Sequence, residues 1–157
     1  MFPFNQPASV NVTAPSSASQ GSSFFMMVTP GTFIVPLEVQ GYFLTDMVGM
    51  TIRFPIDPDM QVLDTVLSSS VRAGSGYPSV TIEGSDLVYR VPGPFIPGEE
   101  IQMPQVRVLA KAIGAPGSVI QVRMASLGGV ANIGPFIQVG TSCTPPNPLL
   151  YALSITS

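Results

Sequence analysis

Histidine and tryptophan are absent from the 157 residues, and cysteine and lysine occur once each. Without histidine, the chain cannot form the Ser–His or Cys–His pairs that activate most catalytic nucleophiles. A single thiol cannot assemble the four ligands of a zinc site, and no glycine-rich phosphate-binding motif occurs. These absences predict a protein that is not an enzyme and that carries no cofactor.

Charge is scarce and confined to the middle of the chain. Six cationic and nine acidic residues give a net charge of −3, and no residue before Glu38 or after Arg123 is charged. Five arginines and one lysine make no basic patch. Because phosphate neutralisation dominates affinity for duplex nucleic acid, we exclude nucleic acid as a main partner.

Long apolar runs are also missing. The nearest, residues 24–28, is far shorter than the ~20 residues of a membrane helix, so no membrane span is predicted. The N-terminus has neither the basic region nor the apolar core of a signal peptide. Two interpretations remain: a mature secreted protein in which Met1 replaces a removed signal peptide, or a cytoplasmically made protein such as a virion component.

What is present is an apolar composition punctuated by turn residues. Apolar side chains make up 45% of the chain, with 15 glycines and 17 prolines and no collagen period. Short alternating runs bounded by Pro, Gly and Ser are typical of an antiparallel β-sandwich. We predict an all-β, immunoglobulin-like sandwich without the Cys-Trp-Cys core, formed by residues 1–157 as one domain, with 1–8 as an extended N-terminal segment.

The predicted strands follow the alternation and end at the turn residues. A Ser-rich turn is expected at 15–21 and a hairpin turn at 84–86. The strand at 32–40 is interrupted by Pro36, which indicates an edge strand or a bulge. The strands are 9–14, 22–29, 32–40, 43–46, 50–54, 60–69, 79–83, 87–91, 105–112, 119–125, 136–141 and 149–156.

Five strings of residues point to a known group of proteins. They are 10–15 (VNVTAP), 33–36 (FIVP), 87–94 (LVYRVPGP), 112–121 (AIGAPGSVIQ) and 141–148 (TSCTPPNP). In this order, over nearly the whole chain, they resemble small secreted proteins of mycobacteria and related actinobacteria, some of which carry a "cyclase/dehydrase" label. The resemblance implies an exported β-rich domain of the cell envelope or medium. It implies almost nothing about activity.

Aromatic and methionine side chains crowd into residues 24–54. Such side chains line adaptable apolar pockets, although an ordinary sandwich core explains them too. A hydrophobic ligand between the sheets would contact Phe24, Met26, Phe33, Tyr42, Phe43, Met47, Met50 and Phe54.

Other polar candidates have plain structural explanations. Asp57, Asp59 and Asp64 could offer oxygen ligands to Ca²⁺, but they lack the EF-hand spacing, and turn formation explains them; no metal is predicted. Glu99 and Glu100 are adjacent, so an extended chain points them to opposite faces and they cannot form a glycosidase pair. Cys143 is a half-buried apolar residue, a reactive thiol or one half of an intermolecular disulfide.

The sequence therefore predicts a secreted or cell-envelope, non-enzymatic protein with a structural or binding role. Its partner would be itself or another envelope protein. Two alternatives stay open: a carrier of a hydrophobic or lipid ligand, and a virion or filament subunit that self-associates through its uncharged terminal strands. Since charge cannot protect those strands, we expect one of them to lie inside a sheet or to pair with another copy.

Overall fold

Successive side chains of a strand point to opposite faces of the sheet. Where apolar and polar residues alternate, the apolar side chains therefore share one face and can be buried in a common core. Along residues 106–112, for example, Val106, Val108 and Ala110 are buried while Arg107 is exposed. The computed structural model describes residues 10–39, 41–68, 74–134, 137–143 and 149–157. Within these ranges no helix has the length and apolar character needed to cross a membrane. The predicted N-terminal segment 1–8 lies outside them.

The described residues form sixteen strands, most of them short. They are β1 (Val10–Thr13), β2 (Ser17–Ser19), β3 (Ser23–Pro30), β4 (Phe33–Ile34), β5 (Glu38–Val39), β6 (Tyr42–Phe43), β7 (Asp46–Pro55), β8 (Met60–Leu67), β9 (Ser79–Glu83), β10 (Asp86–Val91), β11 (Glu100–Ile101), β12 (Val106–Ala112), β13 (Val119–Arg123), β14 (Ser126–Ile133), β15 (Ile137–Cys143) and β16 (Leu149–Thr156).

Two larger sheets form the body of the molecule. One has the order β1-β3-β12-β8 and the other the order β15-β14-β7-β10-β9, with antiparallel pairing throughout. A three-stranded sheet, β13-β16-β2, adds a parallel pair between β16 and β2. The pairs β11-β4 and β5-β6 form two small separate sheets.

The core lies between the two larger sheets. Met26 and Val108 from the four-stranded sheet and Phe54 and Leu87 from the five-stranded sheet line one small interior cavity and belong to one buried cluster. The all-β sandwich predicted from the alternation is confirmed.

Two predicted strands around residues 32–46 are wrong in their bounds. The region predicted as a single strand, 32–40, is split at Pro36 into β4 and β5, which belong to different small sheets. Proline cannot donate a ladder hydrogen bond, so pairing stops there. The predicted strand 43–46 is also divided, because Phe43 ends β6 and Asp46 begins β7.

Three strands lack a sequence signal strong enough to predict them. β14 contains Gly128 and Gly129, which interrupt the alternation. β2 lies inside the predicted Ser-rich turn, and its pairing with β16 is set by a distant part of the chain. β11 has only two residues.

The C-terminal strand lies inside a sheet. β16 is hydrogen-bonded to β13 on one side and to β2 on the other, and Leu153 and Ile155 are buried. One uncharged terminal strand was expected to lie inside a sheet or to pair with another copy, and the first of these is confirmed for β16. β1, at the other end of the chain, is an edge strand next to β3.

Candidate functional site

The predicted group of aromatic and methionine residues is divided between the core and the surface. Five of its members are buried in the interior cluster: Phe24, Met26, Met47, Met50 and Phe54. Phe33 is half-buried and packs edge-to-face on Phe95, with ring centroids 6.1 Å apart. Tyr42 and Phe43 are exposed on β6. The eight residues therefore do not line one pocket.

The interior cavity beside this group is small. Its volume is about 20 Å³, and Met26, Phe54 and Met60 are among the side chains that line it. A space of this size holds roughly one water molecule. The cavity is thus too small for a lipid chain, and a hydrophobic ligand between the sheets stays a prediction.

The exposed members belong to a surface region that we call the apolar tip, made of five exposed apolar residues: Ile34, Leu37, Tyr42, Phe43 and Ile96. In it, β5 pairs with β6 so that Glu38 faces Phe43. Gly41, with a φ of 83°, lies between the two strands in a conformation that other residues rarely adopt. Backbone hydrogen bonds therefore fix the position of the exposed aromatic pair.

A second loop joins the tip through backbone contacts. The amide of Gly98 donates to the carbonyl of Val35 at 2.8 Å, and the amide of Val35 donates to the carbonyl of Glu99 at 3.0 Å. Leu37 lies close to Gly98: a Cβ added at position 98 would be 3.3 Å from the Leu37 side chain. Ile34 and Ile96 are carried by these same two segments.

The tip exposes an unusual amount of apolar surface. Leu37 is 63% exposed, Tyr42 59% and Phe43 75%. The two aromatic side chains together expose on the order of 250 Å². Several exposed apolar side chains on neighbouring segments are typical of an interaction site. This is the strongest candidate binding surface in the described part of the chain.

The three predicted aspartates take structural positions. One carboxylate oxygen of Asp57 accepts from the amide of Asp59 at 2.9 Å, and the other accepts from the amide of Gln121 at 2.8 Å. Asp64 lies on β8 and accepts from the amide of Thr65 at 2.9 Å. Asp57 therefore joins the loop after β7 to β13, as a turn-forming aspartate does.

The remaining predicted polar candidates are dispersed. Glu99 and Glu100 are exposed beside the tip. Cys143 ends β15 opposite Leu127, and a disulfide to another chain stays a prediction. Among residues 10–39, 41–68, 74–134, 137–143 and 149–157, no three His, Cys, Asp or Glu side chains are grouped so that they could hold a metal ion.

Sequence reasoning missed an ion-pair ladder on the outer face of the five-stranded sheet. The guanidinium of Arg90 donates to both carboxylate oxygens of Glu83, one of them at 3.0 Å. This pairing lowers the pKa of Glu83 to about 2 and raises the pKa of Arg90. Arg53 lies 3.7 Å from Asp86 on the same face. These charges are partly exposed and paired with one another, and they mark a solvated surface.

One phenol is buried in the core. The hydroxyl of Tyr89 donates to the carbonyl of Pro104 at 2.8 Å, and burial raises the pKa of Tyr89 well above its ordinary value. The hydrogen bond joins β10 to the segment that precedes β12. Its role is to hold these two elements together.

Comparisons with known proteins show the fold only. The sequence matches no protein-family model and no curated protein. A cohesin module from a family 33 glycoside hydrolase of Clostridium perfringens is similar in structure, with a TM-score of 0.52 and 8% identity over 95% of this chain and 96% of that one. A protein described as membrane anchored, from Corynebacterium diphtheriae, has a TM-score of 0.60 and 13% identity over 94% of this chain.

The similarity to longer proteins covers only a part of them. The match to the Corynebacterium protein spans 32% of that chain. The major pilin subunit of Bacillus cereus matches with a TM-score of 0.52 and 8% identity, over 96% of this chain and 40% of the pilin. At these identities the similarity establishes a shared β-sandwich architecture.

Proposed function

We propose that this chain is an exported or cell-envelope β-sandwich module with a structural or binding role, and that it binds another protein through the apolar tip. The observation that carries the proposal is the exposure of Leu37, Tyr42 and Phe43 on segments fixed by backbone hydrogen bonds. A single exposed apolar side chain needs no explanation, whereas several on neighbouring segments do.

The composition of the tip suits protein recognition. Tyrosine and other aromatic side chains are enriched at the centres of protein interfaces, where they bury a large area at low entropic cost. In the tip they stand on paired strands, so little backbone order has to be gained on binding. Because adjacent residues of a strand point to opposite faces, we assign Phe43, the more exposed of the two, as the anchor.

Three further observations support export and a role other than catalysis. The sequence resembles secreted actinobacterial proteins through the five strings given above. Proteins of similar fold include a pilin subunit, a protein described as membrane anchored, and a cohesin module of a larger enzyme. A chain without histidine also lacks the commonest general base.

Photo-crosslinking in intact producing cells tests the proposal. A benzophenone amino acid replaces Phe43 in one variant and Tyr77 in the control, since Tyr77 is 92% exposed and lies outside the tip. We expect the probe at 43 to form a discrete crosslinked product in the surface or secreted fraction, identifiable by mass spectrometry, and the probe at 77 to form none. Equal yields at both positions, or recovery of the protein in the cytoplasmic fraction only, would contradict the proposal.

A further inference from the structure

A second apolar surface lies on the outer face of the four-stranded sheet. Leu109 on β12 faces Phe25 on β3, and Arg107 faces Val66 on β8. Phe25 is 56% exposed, and Leu63 and Val66 are exposed on β8, on the other side of β12. We call this surface, formed by Phe25, Leu63, Val66, Arg107 and Lys111, the basic face.

The two cations of the basic face have no acidic partner in the described part of the chain. The guanidinium of Arg107 lies 5.2 Å from the centre of the Phe25 ring, and neither Arg107 nor Lys111 forms an ion pair there. One acid, Asp64, stands opposite Leu109 on the same face. The face therefore combines exposed apolar side chains with an excess of positive charge.

The apolar tip has the opposite charge. Glu38 faces Phe43 across the β5-β6 pair, Glu100 faces Ile34 across the β11-β4 pair, and Glu99 lies between these segments. All three acids are exposed. The sequence has no lysine or arginine before Arg53 and none between Arg90 and Arg107. The charged side chains on the segments that form the tip are thus all acidic.

We propose that the partner of the apolar tip is the basic face of a second copy of this chain. This inference rests on the proposed function of the tip and names its partner. Apolar side chains would meet at the centre of the contact, while Glu38, Glu99 and Glu100 of one copy approach Arg107 and Lys111 of the next. Complementary charge of this kind sets partner choice and orientation.

The arrangement predicts an open assembly. Two tips facing each other would bring six carboxylates together, which like-charge repulsion disfavours. The tip and the basic face are different surfaces on each copy, so the contact is heterologous. A heterologous contact that does not close into a ring propagates as a chain of subunits.

Sedimentation velocity of the purified full chain tests the assembly. At low ionic strength we expect a series of species that lengthens with protein concentration, and a loss of that series as salt screens the charges. Phe43→Ser and the double variant Arg107→Glu with Lys111→Glu should each weaken association at least about tenfold, while Tyr77→Ser should leave it unchanged. A chain that stays monomeric at the highest concentrations, or that stops at a dimer, overturns the proposal.

Mixing the two defective variants provides the sharper result. The Phe43→Ser chain retains its basic face and the charge-reversed chain retains its tip, so together they should form a heterodimer that cannot grow. Reversing Glu99 and Glu100 to lysine within the charge-reversed chain should restore association. Absence of the heterodimer overturns the inference. If crosslinking through position 43 then still captures a different protein in cells, the tip is a binding surface as proposed, but its partner is not a second copy of this chain.

Discussion

Replacing Asp57 by alanine should destabilise the sandwich, because this side chain joins the loop after β7 to β13. Its two carboxylate oxygens accept from the amides of Asp59 and Gln121 at 2.9 and 2.8 Å. The adjoining loop approaches closely as well, since the amide of Ile113 donates to the carbonyl of Asp59 at 2.9 Å. Alanine would leave two half-buried amides without these acceptors.

The expected loss follows from the two hydrogen bonds. A bond to a charged acceptor contributes roughly 1.5–3 kcal/mol when buried and less when partly solvated, so we expect Asp57→Ala to cost about 3 kcal/mol. In a domain of this size, that lowers the melting temperature by about 6–12 °C. Asp57→Asn keeps one acceptor oxygen and should lose about half as much.

Urea denaturation and thermal melting followed by circular dichroism measure the effect. Asp64→Asn is the matched control, because Asp64 is exposed and accepts only a local bond from Thr65; it should change stability by less than about 0.5 kcal/mol. Calcium and chelator should leave the melting temperature of the wild type unchanged. The reasoning is refuted if Asp57→Ala is as stable as the control, or if chelation alone reproduces its loss.

Three further outcomes are expected elsewhere in the molecule. Arg90→Gln should raise the pKa of Glu83 from about 2 toward its ordinary value, measured by carboxyl NMR titration. The pKa of Glu83 is lower in the folded protein than in the unfolded chain. The ion pair therefore stabilises the wild type above about pH 4.5, and this stabilisation is lost as the pH falls toward 2. Tyr89→Phe should cost about 1–2 kcal/mol in urea denaturation, because the buried carbonyl of Pro104 loses its donor. Phe43→Ser should leave the melting temperature within about 2 °C of the wild type, because the side chain is exposed.

The sequence predicted strands best where alternation is uninterrupted. The hairpin strand β9 and the terminal strand β16 have their predicted bounds. β7 was predicted to begin at Met50, yet it begins at Asp46 and contains Gly49 with a φ of 66°. The pairing with β14 shifts register opposite this glycine, so Met47 and Met50 are both buried although they are three residues apart. No period-2 pattern contains that information.

The candidate site was harder to predict from the sequence than the strands, because strand pairing decides which apolar residues are exposed. Phe43 and Phe54 are equally apolar, and which of them is buried depends on the partner of the strand that carries it. Phe54 faces Leu87 in a five-stranded sheet, whereas Phe43 pairs only with Glu38 in a two-stranded one. Leu37 follows Pro36, and Tyr42 and Phe43 follow Gly41. Apolar residues placed directly after such turn residues are the one signal that could have separated surface from core.

Thiol labelling in intact producing cells tests most directly whether the apolar tip is a covered binding surface. Phe43→Cys and Tyr77→Cys are each placed in a Cys143→Ser chain, and maleimide reaction rates are compared in cells and in the dilute purified protein. In the purified protein both thiols should react rapidly, because both positions are exposed. In cells we predict that the thiol at 43 reacts at least about tenfold more slowly than the thiol at 77. Equal rates at the two positions in cells would contradict the account.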